Sequence, residues 1–460
     1  MRKATKTLRF PYSGLSRNLS FQESVTPDGV KVYGTPDAMN MRGADPLLER
    51  TRGGSRPGLK RISGSKSDAG ISGDWQWPNG EKVEWPEGEE VTFGDDTQTY
   101  LAPDGVTRCI DPHRVVLAKA SKGAVPENYS ICCMYRGRIF VAKDSMWYCS
   151  RIGEPTDWDY GDYSDDPARA TAGNVALATD KGDPITALIP INDKCLYIAT
   201  ARSLWVIVGE PTSGTMTKVS EGVGVCGANA WCFDGRHLWI LSYQGIFTLA
   251  IGEHPIYFSY RVPQLEGTDA SAVLATDHDT NGIFIISSVI GSWYVDKAAK
   301  SLWPFSFENE GMMPVRVAHI LLDGINRTAF HCADGEWRYF DRDATTDDGE
   351  AIESFVLIGP FRISDDSMTD GMLAELYATM GEGSAEVSVE VFTGKSPEQA
   401  VANVKAYAGD AFKYTIYGGW NSVFRPRIRG AWCVLKLSSN GRWAYESIAA
   451  LSKGLGRLRA

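Results

Sequence analysis

The sequence predicts an all-β protein: a β-propeller with an extended N-terminal arm and a C-terminal, jelly-roll-like β-sandwich. Three observations predict it. From about residue 106, short runs of β-branched and aromatic residues alternate with Asp-Gly, Asn-Asp and Gly-x turns. No stretch from 106 to 345 keeps a helical period. Residues 386–392, Glu-Val-Ser-Val-Glu-Val-Phe, alternate strictly, as a half-buried strand does.

The propeller rests on a repeat. Residues 138–142 are followed by 146–148, 194–199 by 203–207, 236–241 by 244–249, 281–286 by 291–295, and 327–332 by 335–339. Each time a polar turn precedes an apolar strand, and a second strand with an aromatic residue follows a short turn. The markers Ile139, Leu196, Leu238, Ile283 and Ala329 lie 57, 42, 45 and 46 residues apart. A four-stranded blade needs about 40–50 residues. A sixth blade is expected from residues 115–117 with neighbouring or arm strands.

Composition sets the other boundaries. The chain has 460 residues, 47 basic and 57 acidic, a formal net charge of −10. Residues 1–61 hold 12 Lys/Arg and 5 Asp/Glu, a net of +7, which leaves −17 on the rest. The expected organisation is a basic arm over 1–62, an acidic Trp-rich insertion or loop over 63–105, the propeller over 106–345 and the sandwich over 346–460. The acidic balance argues against a protein that grips nucleic acid over most of its surface. No apolar run of 18 residues exists, so no membrane span is expected, and the basic start lacks the apolar core of a secretory signal. Nine scattered cysteines without a C-x-x-C pair predict reduced, buried thiols.

A search for chemistry yields no catalytic, cofactor or metal constellation. The six histidines have no metal-pair spacing. Asp157 and Asp159, in the aromatic-acidic run 156–166, could serve a glycoside hydrolase, or simply form an acidic loop. Gly222-Val223-Gly224-Val225-Cys226-Gly227 imitates a dinucleotide fingerprint, but no helix follows it. Asp341, Asp343, Asp347, Asp348 and Glu350 offer oxygen ligands without an EF-hand spacing. What remains suits assembly. Arg52 and Arg56 are expected at an interface with an acidic neighbour, because guanidinium groups match paired carboxylates. Trp75, Trp77 and Trp85 are expected to pack on a partner or on the propeller rim.

Several segments resemble neck and nozzle proteins of tailed bacteriophages. One is Arg52-Gly53-Gly54-Ser55-Arg56-Pro57-Gly58-Leu59, like the Arg/Gly/Pro-rich stretch that follows their extended N-terminal segment. Another is Ser150-Arg151-Ile152-Gly153-Glu154-Pro155-Thr156-Asp157-Trp158, similar to their S-R-x-G-x-P-x-x-W turn. Residues 185–190 with 204–211, and residues 220–230, resemble the same proteins. The likeness covers residues 50–250, and the C-terminal third shares only its all-β character. The stretch 70–105 departs from the family. The resemblance implies a structural virion protein without enzymatic activity, a tail or neck nozzle that helps stabilise packaged DNA. It implies a homo-oligomeric, hexameric ring below the portal and head–tail adaptor, contacts with tail fibre or other tail proteins, and double-stranded DNA passing without tight binding. The place implied is the virion, assembled in the host cytoplasm. The alternatives are a tail or baseplate component binding a host-surface glycan, and a carbohydrate-active propeller enzyme.

Overall fold

The structure, a computed structural model, describes residues 3–457 apart from 17–22, 26–30, 63–97, 102–106, 112–113, 116–119, 176–181, 365–368, 408–411 and isolated loop positions. It is all-β, with a propeller unit and a sandwich unit. The first comprises residues 62–292 and 311–339, and the second residues 1–61, 293–310 and 340–460.

In the propeller unit the predicted repeats are four-stranded antiparallel meanders. One is Ile131–Tyr135, Arg138–Lys143, Met146–Cys149 and Thr171–Asn174. The next is Ile185–Ile191, Cys195–Thr200, Ser203–Val208 and Thr215–Glu221. A third is Trp231–Phe233, His237–Ser242, Gly245–Ala250 and Ile256–Tyr257. The burial gradient explains the sequence pattern. Every residue of Cys195–Thr200 is buried, so that strand reads as a continuous apolar run. Thr215–Glu221 is the outer edge, and its Thr, Lys and Glu discourage pairing with another chain. Tyr135 pairs with Arg138 across Arg136-Gly137, both at positive φ (52° and 68°), as a two-residue hairpin turn requires. Asp234 accepts the N–H groups of Arg236 and His237 and closes the third blade's hairpin. One core serves the first two blades, from Cys133, Phe140 and Trp147 to Leu188, Leu196 and Ile198.

Two boundaries differ from expectation. Val273–Thr276 and Ile283–Ile286 form a hairpin of the propeller unit, whereas residues 293–310 and everything from 340 belong to the sandwich unit. The fourth repeat therefore contributes to both units, while residues 327–339 of the fifth lie in the propeller unit. Gln98–Leu101, expected within a loop, is a strand in a sheet with Thr107–Asp111 and Arg114–Val115.

The sandwich is made of two five-stranded sheets, beside smaller pairings of the arm. One contains Lys3–Leu8, Tyr445–Arg457, Thr369–Met380 and Gly419–Trp420 in that order, with Ile428–Gly430 also paired to Thr369–Met380. The other runs Phe412–Ile416, Val387–Gly394, Trp432–Ser439, Ser354–Arg362 and Ala38–Met39. The helix Pro397–Ala406 covers the second sheet. Ser396 caps it by accepting the Gln399 N–H, and Ala400, Val401 and Val404 pack on Leu357, Trp432 and Val434.

The described parts of the basic arm pair within the sandwich unit. Lys3–Leu8 pairs along its length with Tyr445–Arg457, from Lys3 opposite Lys453 to Leu8 opposite Ile448. Ala38–Met39 pairs with Ser354–Arg362. The physical reason is edge satisfaction. Tyr445–Arg457 needs a partner on that side, and Leu8, Phe10 and Met41 bring buried side chains with the backbone pairing.

Candidate functional site

Arg52 and Arg56, expected at a subunit interface, are buried inside the sandwich unit, which corrects that assignment. Arg52 Nε donates to Asp45 Oδ2 at 2.7 Å and Nη1 to Glu446 Oε2 at 2.5 Å. Asp45 in turn accepts the N–H groups of Leu47, Leu48 and Arg50. Arg56 is 1% exposed, and all five of its N–H groups find acceptors. Nη1 and Nη2 grip the two carboxylate oxygens of Asp347 at 2.8 and 2.5 Å. Nε donates to Asn40 Oδ1, and the remaining hydrogens go to the Pro57 and Ser306 carbonyls. Phe307 and Phe340 flank the guanidinium, at 5.0 and 5.5 Å from its carbon to the ring centres. A cavity of about 140 Å³ lies beside this pair, lined also by Glu308, Glu353 and Phe355.

The glycines between these arginines are fixed by space. Gly53 has φ +74°, and a Cβ there would lie 2.2 Å from the Phe10 ring. A Cβ on Gly58 would lie 2.1 Å from the Thr346 carbonyl oxygen. Further cations of the arm are also neutralised within the unit: Arg50 by Glu446, Lys60 by Asp341 and Arg61 by Asp348. Asp341, Asp347 and Asp348, considered as calcium ligands, therefore serve as counter-ions. Trp75, Trp77 and Trp85 lie outside the described residues.

The second motif is also structural. Ser150 Oγ accepts the Ile139 N–H, the backbones of Arg151 and Glu154 form an antiparallel bridge, and Trp158 is fully buried. Asp157 accepts the Asp159 N–H, and Asp159 accepts the Gly161 N–H. The two candidate carboxylates hold their own loop. Asp166 accepts the Ala168 N–H and pairs with Arg151, and both contacts hold its carboxyl below the usual range. The glycine-rich run 222–227 links two blades: Val225 N–H reaches the Thr200 carbonyl and Cys226 N–H the Leu241 carbonyl. Among the described residues, no group of three or more His, Cys, Asp or Glu is placed to hold a metal ion, and no helix is long and apolar enough to cross a membrane.

Sequence reasoning missed two arrangements. Arg138, fully buried, donates to Glu210 of the second blade and to the carbonyls of Ser150, Pro167 and Arg169. Its signal was a basic residue opening an apolar strand. Trp420 is 73% exposed on the sandwich, where Tyr417-Gly418-Gly419-Trp420-Asn421 could have marked an aromatic turn. Seven cysteines among the described residues are buried and unbridged, and burial pushes the Cys149 thiol up to about 12 and the Cys226 thiol up to about 11.

A scan against protein-family models and a search of curated proteins give no match. Among solved structures, the chain is similar to the extracellular domain of a proposed one component system, BT4673, from B. thetaiotaomicron. The identity is 12% and the TM-score 0.36, over 78% of this chain and 48% of that one. The chain thus spans about half the length of that protein. The N-terminal domain of Nup159 is similar at 11% identity and TM-score 0.26, over 47% of this chain and 76% of that one. The Bombyx mori GH32 β-fructofuranosidase BmSUC1 is similar at 10% identity and TM-score 0.19, over 73% and 81%. Likenesses at these TM-scores carry no function to this chain.

Proposed function

We propose that this chain is a structural virion protein of a tailed bacteriophage, a nozzle or neck subunit rather than an enzyme. Six copies form a ring below the portal and adaptor, hold tail components and let DNA pass at packaging and genome ejection. The observation that carries this reading is the structural work done by the residues that resemble the family. In residues 52–59, both arginines are consumed by buried ion pairs and two glycines sit where a Cβ would collide. In residues 150–158, Ser150 and Trp158 are fully buried. Motifs with this much constraint are determinants of a fold, not accidents of composition.

The ring contacts belong to the body of the protein, since the cations of residues 50–61 are answered within the chain. The net of −17 beyond residue 61 suits a conduit whose walls do not hold phosphates. Native mass spectrometry and negative-stain microscopy of the full chain, alone and with a portal–adaptor complex, test this. Six copies per ring are expected. Trimers, or a monomer that never joins the complex, would overturn the proposal.

A further inference from the structure

The outer face of one sandwich sheet is built unlike its inner face. On Thr369–Met380, Leu376, Ala378 and Met380 are buried, while Tyr377 points outward, 37% exposed. Residues directly paired in an antiparallel ladder project to the same side. The register therefore places Thr7, Ala449 and Tyr377 in one outward row, and Ser447, Thr379 and Trp420 in the next. The other sheet has its outer face covered by the helix Pro397–Ala406.

Trp420 is exposed but held. Asn421, itself buried, accepts the Tyr417 N–H at 2.9 Å and donates to the Tyr417 and Gly419 carbonyls at 2.8 and 3.1 Å. Gly419 takes φ +80°, which favours glycine. Phe424 exchanges backbone hydrogen bonds with Leu376 and stacks on Tyr414, ring centres 4.4 Å apart. An indole kept in water on a locked turn contributes little to folding and is preorganised for a ligand.

The neighbouring groups select the ligand. Thr7, Thr379 and Ser447 supply hydroxyls, and Ala449, between Thr7 and Tyr377, is the smallest side chain of its row. Glu375 accepts the Tyr377 hydroxyl at 2.6 Å and Arg425 Nε at 3.2 Å. A protein partner of ordinary size wants a continuous apolar centre of several large side chains. The two rows hold two aromatics among hydroxyls, with Tyr417 exposed on the Trp420 turn and Leu451 in the row beyond. A nucleic acid wants a run of uncommitted cations; beside Tyr377 the cation is Arg425, paired with Glu375, and Lys453 and Arg429 lie further along the sheet, opposite Met372. A pyranose matches: its C–H face lies on an aromatic ring, and its hydroxyls meet hydroxyl, carboxylate and guanidinium groups at the rim.

We infer that this face binds a polysaccharide, with Trp420 and Tyr377 as stacking platforms and the Glu375–Arg425 pair with the Thr and Ser hydroxyls as its polar rim. It does not depend on the assembly role, because it arises within one unit of the chain. The test uses the full-length protein on a microarray printed with bacterial O-polysaccharides, capsular polysaccharides and cello-, chito- and maltohexaose, followed by calorimetry on any that bind. Binding to at least one is expected, weakened about tenfold or more by Trp420→Ala and less by Trp420→Phe, at an unchanged melting temperature. Ala449→Gln, which puts a longer side chain directly opposite Tyr377 on the same face, should weaken it as well and decides the matter if Trp420→Ala misfolds. The inference is overturned if no printed polysaccharide binds, or if both variants bind like wild type. It is equally overturned if Trp420→Ala only changes the oligomeric state by light scattering, which would give the face to a second copy.

Discussion

Arg56 and Asp347 form a buried, bidentate pair whose value depends on both members being present. Removing one leaves the other's charge without water or partner, at about 3–5 kcal/mol, whereas an apolar pair of similar volume can be nearly neutral. Arg56→Ala is therefore expected to lower the sandwich's denaturation midpoint sharply, and Arg56→Met with Asp347→Leu to recover much of the loss. Equal loss in the single and double variants would refute the coupling. Asp269 gives a residue-scale dependence on pH. Burial alone would raise its carboxyl, but hydrogen bonds from Ser271 and Ser287 outweigh that and hold it below its ordinary value. A depressed folded value stabilises above the unfolded value of about 3.9 and fades as pH falls through the folded one. Asp269→Asn should flatten the acid limb of the stability curve below about pH 4 and leave its shape near neutrality unchanged, as thermal melts across pH would read. Neither role was legible in the sequence: Arg56 read as a cation for a partner, and Asp269 did not stand out among 57 acidic residues.

Elements were more legible than their partners. The second strands of the blades are buried on both faces, so residues 195–200 or 238–241 could hardly be anything else. The helix Pro397–Ala406 follows Ser396-Pro397-Glu398, which supplies a capping residue, a first-turn proline and a first-turn acid. Residues 3–8, Lys-Ala-Thr-Lys-Thr-Leu, carried no such signal. Four of the six are Lys or Thr, and only the ladder to Tyr445–Arg457 makes them a strand. Deleting residues 1–9 is thus expected to bare that edge and cost the sandwich its cooperative melt, with aggregation on warming. A truncated chain that melts like the full one and merely fails to assemble would restore the arm as an external clamp.

At the scale of the whole molecule, charge predicts a weak relation to nucleic acid. With −10 overall and the cations of residues 50–61 answered by Asp45, Glu446, Asp341, Asp347 and Asp348, the full chain should not retard duplex DNA at about 150 mM salt. A shifted band in a mobility assay, lost at higher salt, would contradict a conduit that does not hold DNA. The sequence by itself determined the all-β class, the blade period near 45 residues and the strand alternation of the sandwich. These are local consequences of side-chain period and turn chemistry, repeated often enough to be read along the chain. Only the tertiary structure decided that residues 1–61 belong with residues 340–460, that the fourth repeat contributes to both units, and that Arg56 answers Asp347 rather than another subunit. The reason is distance along the chain: Arg56 and Asp347 are 291 residues apart, and pairing at that range is chosen by burial and packing, which leave no period to read.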